Sequence, residues 1–404
     1  MTEPMKRSLG ATLGAPFRRI KPDFDMDVWR AKRAIVVARE SRRLSPIAHS
    51  LRVRDTDVHL VVAPHFGPDA PTWHVAGQNH FFEVYQSACE ILGADKVTLF
   101  GVDTNEAAST WHRRLLETMR DTSATHLIAQ IENDPNQAHN WTWDVIGTQL
   151  AQHWDGAFIG LMYDSAFPWL RMKARHLGRK LPNLLVAELC EPMSGVIRPG
   201  RPEVGPMTMP LSAATVNAID AYVDGLPKLY ELTFIGALYD YRVELIDKLR
   251  SAGVNVSVNP HRPDVTTNYD ESRANQPTYL EYMKGLAQSE MTLNFSLASG
   301  GPVEQYKIRV QEASLVGCLC LTDDKDRTRL FFAPDEYGYF PSLDALPEIV
   351  ADRLADTAQL RADQQAARTR AHELARTDFW GRIDDGLRQR GMRPLTGISP
   401  PIEP

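Results

Sequence analysis

From Asp57 onward the chain alternates short, continuously apolar runs with longer stretches in which apolar residues recur every three or four positions. The first pattern is that of strands buried on both faces, the second that of amphipathic helices. "VHLVVAP" predicts a strand, "FFEVYQSACEILGA" a helix ending at a glycine, and "KVTLFGVD" the next strand. The series continues through the strand "THLIAQIE", a helix around Trp143 to His153, the strand "GAFIGLMYD", the helix "FPWLRMKARHLG" and the strand "LLVAEL". Such β/α alternation calls for a mostly parallel sheet covered by helices.

A proline and glycine cluster from Glu191 to Pro210 interrupts this rhythm, as a linker or an ordered loop. A helix capped by Ser212 follows, and then a second series: strand "ELTFIG", helix "RVELIDKLRSAG", strand "VNVSVN", helix "TYLEYMKGLAQSE", strand "MTLNFSL". The tail predicts a long helix from about Leu346 to Arg376, a short helix "DFWGRIDDGLRQRG" and a Pro-rich end. The resulting division is an N-terminal arm (1–55), a first α/β domain (56–225), a second (226–376) and a C-terminal helix and tail (377–404). At 404 residues, two cores are the ordinary solution.

Composition adds little to this picture, and charge adds more. Residues 1 to 54 hold 13 Lys/Arg against 5 Asp/Glu, a net +8, so the overall −6 leaves −14 for the remainder. Nucleic acid is therefore not an expected partner of the body of the protein. The basic segment "VWRAKRAIVVARESRRL" fits either peripheral contact with an anionic membrane face or a solvated helix packed on a domain. No apolar run reaches spanning length and the start lacks a secretion-type core, which predicts a cytoplasmic location, with peripheral contact at the inner membrane face as the option that arm leaves open. Cys89, Cys190, Cys318 and Cys320 form no CxxC pair and read as buried thiols.

Candidate chemistry concentrates in "SGGPVEQYKIRVQEASLVGCLCLTDD", Ser299 to Asp324. Ser299, Gly300 and Gly301 follow a strand and permit a tight turn, and Pro302 suits a first helical position. A helix from about Pro302 to Val316 would point its positive end at that turn, a place for phosphate, with Lys307 and Arg309 adding charge. Glu304 and Glu312 would then lie about 80° apart around the helix and about 12 Å apart along it. Carboxylates accept hydrogen bonds from vicinal hydroxyls, so one suits a sugar ring and the other a ribose. Gly317 ends the helix before the strand "CLCLTDD".

Glu304, seven intervening residues, then Glu312-Ala313 with Gly317 before an apolar strand resembles the glutamate-x7-glutamate motif of GT-B glycosyltransferases. With "FIGALYDYR" upstream and "FFAPDEYGYFPSLDAL" downstream, the stretch from about Leu232 to Arg376 is most similar to the spore-maturation (CgeB-type) branch. The resemblance implies two tandem Rossmann-like domains facing across a cleft, flanked here by the basic helical arm and the C-terminal helices. It implies transfer of sugar from a nucleotide diphosphate sugar, held mainly by the second domain, to a hydroxyl of a saccharide, lipid-linked or protein acceptor in glycan biosynthesis. Glu312 would contact the donor ribose, Glu304 the transferred sugar or its phosphate, and Arg242 and Lys307 the diphosphate, with Gly236 of "FIGALYDYR" at the donor site. The family's Gly-Arg then Lys pairing appears here as Arg242 with Lys248. No cofactor is implied, and no metal: basic side chains and helix dipole take that part, so Asp323, Asp324 and Asp326 of "TDDKD" read as a capped turn.

In the first domain, His65 in "PHFGPD" fits an acceptor-positioning base or a structural histidine. Asp164, closing "GLMYD", fits a base or a helix N-cap, and Trp141 and Trp143 fit core packing or a sugar platform. Rival readings are a non-catalytic nucleotide-sugar binder and a sugar-nucleotide epimerase of GT-B architecture. A dinucleotide-dependent oxidoreductase would need GxGxxG after a first strand, and neither half has one.

Overall fold

A computed structural model of the chain describes residues 31–53, 57–66, 80–102, 106–131, 142–163, 168–189, 203–261, 278–297, 304–323, 325, 327–402 and 404. After a helix α1 over residues 31–48, the first sheet is built from β1 (Leu60–Phe66), β2 (Val97–Val102), β3 (His126–Gln130), β4 (Ala157–Met162), β5 (Leu184–Glu188) and β6 (Glu203–Val204), all parallel, in the order β2-β1-β3-β4-β5-β6. Its connecting helices are α2 (His80–Leu92), α3 (Ala108–Asp121), α4 (Thr142–His153) and α5 (Pro168–Lys180). The second sheet, also parallel, contains β7 (Tyr230–Phe234), β8 (Val256–Val258), β9 (Ser289–Asn294), β10 (Leu319–Thr322) and β11 (Gly338–Tyr339) in the order β11-β10-β9-β7-β8. Helices α6 (Ala213–Val223), α7 (Asp240–Ser251), α8 (Tyr279–Ala287), α9 (Arg309–Leu315), α10 (Leu346–Ala355) and α11 (Thr357–Gln389) accompany it.

Counted from its own first strand, each sheet has the doubly wound order 2-1-3-4-5, the first extended by one strand. The order in which strands are added reverses between β1 and β3 and between β7 and β9, and ligands settle at such switch points, outside the carboxyl ends of the strands. Period-two packing explains the continuous apolar runs. Val61, Ala63, Leu127 and Ala129 face one core while Leu60, Val62 and Ile128 face the other. In the second sheet Cys318 and Cys320 alternate in the same way with Leu319 and Leu321. Cys318 and Cys320 are buried free thiols, and Cys190 lies outside the described residues.

Three elements differ from the sequence reading. Helix α3 fills the β2–β3 connection, which the periodicity left unassigned; Trp111, Leu115, Leu116 and Met119 form its buried face. The C-terminal helices divide at Asp356 rather than near residue 377: α10 ends at Ala355, Asp356 caps the next helix, and α11 runs unbroken through Thr357–Gln389. Asp378, the first residue of the predicted short helix, is buried inside α11 and accepts from the Thr208 backbone N–H (2.7 Å) and hydroxyl (3.1 Å). Within the proline and glycine cluster, β6 extends the first sheet.

Helix α11 joins the two halves. Its Ala371, Leu374 and Ala375 pack in a core of the second sheet, and its Phe379, Trp380, Ile383 and Leu387 in a core of the first. Across the same boundary, Glu83 and Glu90 of α2 accept from the Ser212 (2.8 Å) and Ala213 (2.8 Å) N–H groups at the start of α6, where helix-dipole attraction adds to the hydrogen bonds. Helix α1 packs on the first domain through Leu44 and Ala48, and Arg33 bonds to buried Asp144 of α4 (Nε to Oδ2, 3.0 Å).

Candidate active site

The carboxyl ends of β7 and β9 bring together side chains from four separate segments. Strand β7 leads to Gly236, whose φ of +150° disfavours a side chain. Asn259, just past β8, fixes this turn. Its Oδ1 accepts from the Gly236 N–H (2.8 Å) and its Nδ2 donates to the Gly236 carbonyl (3.1 Å), while Asn259 itself adopts positive φ, which asparagine tolerates. A Cβ on Gly236 would collide with the guanidinium of Arg309, the first residue of α9. The missing side chain is what admits that cation.

Arg242, in the first turn of α7, is buried and donates to the Tyr241 hydroxyl (2.8 Å) and the Ala237 carbonyl (2.9 Å). Its guanidinium and that of Arg309 both lie over the Phe234 ring, at 5.6 and 5.1 Å from the centroid. Burial, and then the charge of Arg309, lower the Arg242 pKa from its usual value. Two cations thus share one recess. Among the described residues no carboxylate bonds directly to Arg242, and Nε and Nη1 of Arg309 are buried with no hydrogen-bond partner. Desolvated like charges with unspent donors make a recess complementary to a polyanion.

Glu312, one turn further along α9, is 8% exposed. Tyr282 donates to its Oε2 (2.7 Å) and Tyr279 to its Oε1 (3.1 Å), both from α8. Burial raises its pKa despite those two donors and the nearby Arg309. Arg309 donates to the Tyr282 hydroxyl, so the basic and acidic groups form one chain through a phenol.

The sequence placed Glu304 and Glu312 on one helix, and the structure does not. Helix α9 begins at Arg309; Glu304 instead forms an antiparallel bridge with Leu297, and the Gln305 N–H donates to the Ser296 carbonyl (3.0 Å). These backbone bonds hold the segment extended, and the Ser296 hydroxyl bonds to both the Glu304 and Asp323 carboxylates. The two glutamates therefore sit on different elements, and the 80° and 12 Å helical relation does not apply. Lys307 precedes α9 and is half-buried. Lys248 is not at the site: it sits in the last turn of α7, paired with Asp344 at 2.8 Å. The cation beside Arg242 is Arg309.

Ser299, Gly300, Gly301, Asp164, Asp324, Asp326 and Trp141 lie outside the described residues. The backbone of His65 lies in β1, paired with Gly101 of β2. Trp143 is core, packed on Phe158 with ring centroids 5.7 Å apart. Asn259, Tyr279, Tyr282 and Ser296 join the site without having been singled out in the sequence; the local signal was that Asn259 and Ser296 stand at the carboxyl ends of the predicted strands "VNVSVN" and "MTLNFSL".

Residues 242–385, about a third of the chain, match the family model of glycosyl transferase-like proteins. No curated protein sequence matches the chain significantly. Among solved structures, an alpha-glucosyltransferase in complex with UDP aligns with TM-score 0.50 at 10% identity, covering 79% of this chain and 96% of that one. The sucrose-phosphate synthase of Thermosynechococcus elongatus aligns with TM-score 0.50 at 12% identity, covering 79% of this chain and 94% of that one. The fold is GT-B. The matched segment starts at Arg242 and contains Arg309 and Glu312, the charged side chains of the recess, while Phe234 and Gly236 lie just before it.

Proposed function

We propose that the protein is a glycosyltransferase of the CgeB-type branch that moves a sugar from a nucleotide diphosphate sugar to a hydroxyl of a saccharide, lipid-linked or protein acceptor in the cytoplasm. The observation that carries this reading is the Arg242–Arg309 pair over Phe234, with Arg309 donors unspent, at the switch point of the second sheet. A diphosphate fits it through paired hydrogen bonds from planar guanidiniums. As the glycosidic bond breaks, negative charge grows on the leaving diphosphate, and prepositioned cations stabilise it. In this reading Arg242, Arg309 and Lys307 grip the diphosphate without a metal, and the Ser299-Gly300-Gly301 turn approaches it. Glu312 accepts from the ribose hydroxyls and Glu304 from the transferred sugar. His65 or Asp164 deprotonates the acceptor.

The test is a thermal-shift screen of UDP, GDP, CDP and TDP sugars on the protein and on Glu312→Ala. One nucleotide is expected to raise the melting temperature of the protein and not that of the variant, with slow donor hydrolysis in the absence of acceptor. If none of them shifts the protein, the reading fails; binding without any hydrolysis or transfer would favour the non-catalytic binder. Gly236→Ala gives a second check, because a methyl group there meets the Arg309 guanidinium and adds strain at positive φ. Titration calorimetry should show affinity for the preferred nucleotide falling about tenfold or more.

A further inference from the structure

We propose that the outward faces of α1 and α5 form a docking surface for an anionic lipid bilayer. The two helices lie side by side, because Arg33 of α1 and both His176 and Lys180 of α5 converge on the single carboxylate of Asp144. Together they carry ten Lys/Arg and one acidic residue, in a chain whose net charge is −6. That acidic residue, Glu40, is turned inward at 8% exposure, where it bridges Arg39 (3.1 Å) and Arg43 (3.4 Å). Helical geometry puts the exposed residues Lys32, Ile35, Arg39, Arg42 and Arg43 within an arc of about 100°. Leu44 and Ala48 hold the opposite side against the domain core. On α5, Arg175, Arg179 and Lys180 are exposed.

Ile35 decides the kind of partner. It is 68% exposed within the cationic arc, between Arg42 and Arg39. An aliphatic side chain ringed by guanidiniums suits the boundary between lipid headgroups and acyl chains, where cations meet phosphates and the apolar group inserts. A nucleic-acid face would instead interleave cations with side-chain amides or aromatic rings that read or stack on bases, and the arc has neither. No helix among the described residues is long and apolar enough to cross a membrane, so the contact is peripheral. The remainder of the chain is acidic and repelled by an anionic surface, which orients the molecule with these helices toward the bilayer.

The experiment is sedimentation of the full chain with vesicles of phosphatidylcholine alone or mixed with phosphatidylglycerol, at low and high salt. Pelleting is expected only with the anionic vesicles and is expected to weaken as salt rises. Arg39→Gln/Arg42→Gln should lower the partition coefficient roughly 25-fold, about fivefold for each charge removed. Ile35→Ser should lower it several-fold at unchanged charge, with the thermal midpoint of each variant checked to exclude unfolding. The proposal is overturned if the protein stays in the supernatant with anionic vesicles, or if either variant pellets like the parent. It is also overturned if duplex DNA competes fully while Ile35→Ser has no effect, which would mark a general polyanion surface. The readout needs no donor, so its failure leaves the transferase reading untouched.

Discussion

Arg309→Met is expected to raise the melting temperature of the free protein by about 2 °C or more while removing its stabilisation by nucleotide sugar and lowering transfer about 10²- to 10³-fold. The two effects have one cause. In the free protein the half-buried Arg309 lies near Arg242 and depresses its pKa, and its buried Nε and Nη1 have no hydrogen-bond partner among the described residues. Buried cations without matching acceptors are a cost that a flexible apolar side chain does not carry. The partial compensation from Tyr282 and Glu312 limits the gain, since both groups also satisfy each other directly. With a diphosphate bound, the balance reverses, because the same two guanidiniums then meet two phosphates in a recess with little water. Differential scanning fluorimetry with and without donor, followed by initial rates, reads both halves. A variant less stable than the parent would make Arg309 a structural residue; a more stable variant that still binds and transfers would remove it from the site.

The opposing signs also bear on how much of the site was readable in the sequence. Strands buried on both faces announce themselves as apolar runs, so "MTLNFSL" and "CLCLTDD" were placed without difficulty, and with them the parallel sheets. Helix α3 was not, because its apolar positions are few and set among "HRR" and "ET", where only the four-residue spacing of Trp111, Leu115 and Met119 points inward. The glycine pair and Pro302 gave a strong local helix-start signal, yet the Leu297–Glu304 bridge shows a tertiary contact overriding propensity. Arg242, Arg309 and Glu312 were legible because each lies in a segment with its own motif. Asn259 and the two tyrosines were not, since their part comes from strands and helices that only the folded topology brings beside α9.

Acidification should destabilise the protein well before its carboxylates titrate. His126, at the start of β3, and His112, in α3, are both buried, and burial lowers each pKa from 6.5 to about 4. His126 is held as a neutral ring between the Thr125 hydroxyl (2.8 Å) and the Arg393 carbonyl (2.9 Å), a contact that ties the C-terminal tail to the first sheet. In the unfolded chain both rings take a proton near pH 6.5, whereas in the folded chain they resist it until about pH 4. Between these values the unfolded state therefore binds more protons, and stability falls as pH falls. A difference of this size is worth about 3 kcal/mol per histidine at its limit, and about 4 kcal/mol for the two together at pH 5. Asp144 behaves in the opposite range. Burial would raise its pKa, but His176 and Arg33 hold it at about 2, so its contribution persists above its unfolded value and is lost only as pH drops from about 4 toward 2. Urea unfolding at about pH 7.5 and about pH 5 measures the slope between the two conditions. His112→Phe and His126→Gln should each remove roughly half of it, and a slope unchanged in both variants would assign the acid sensitivity to other groups.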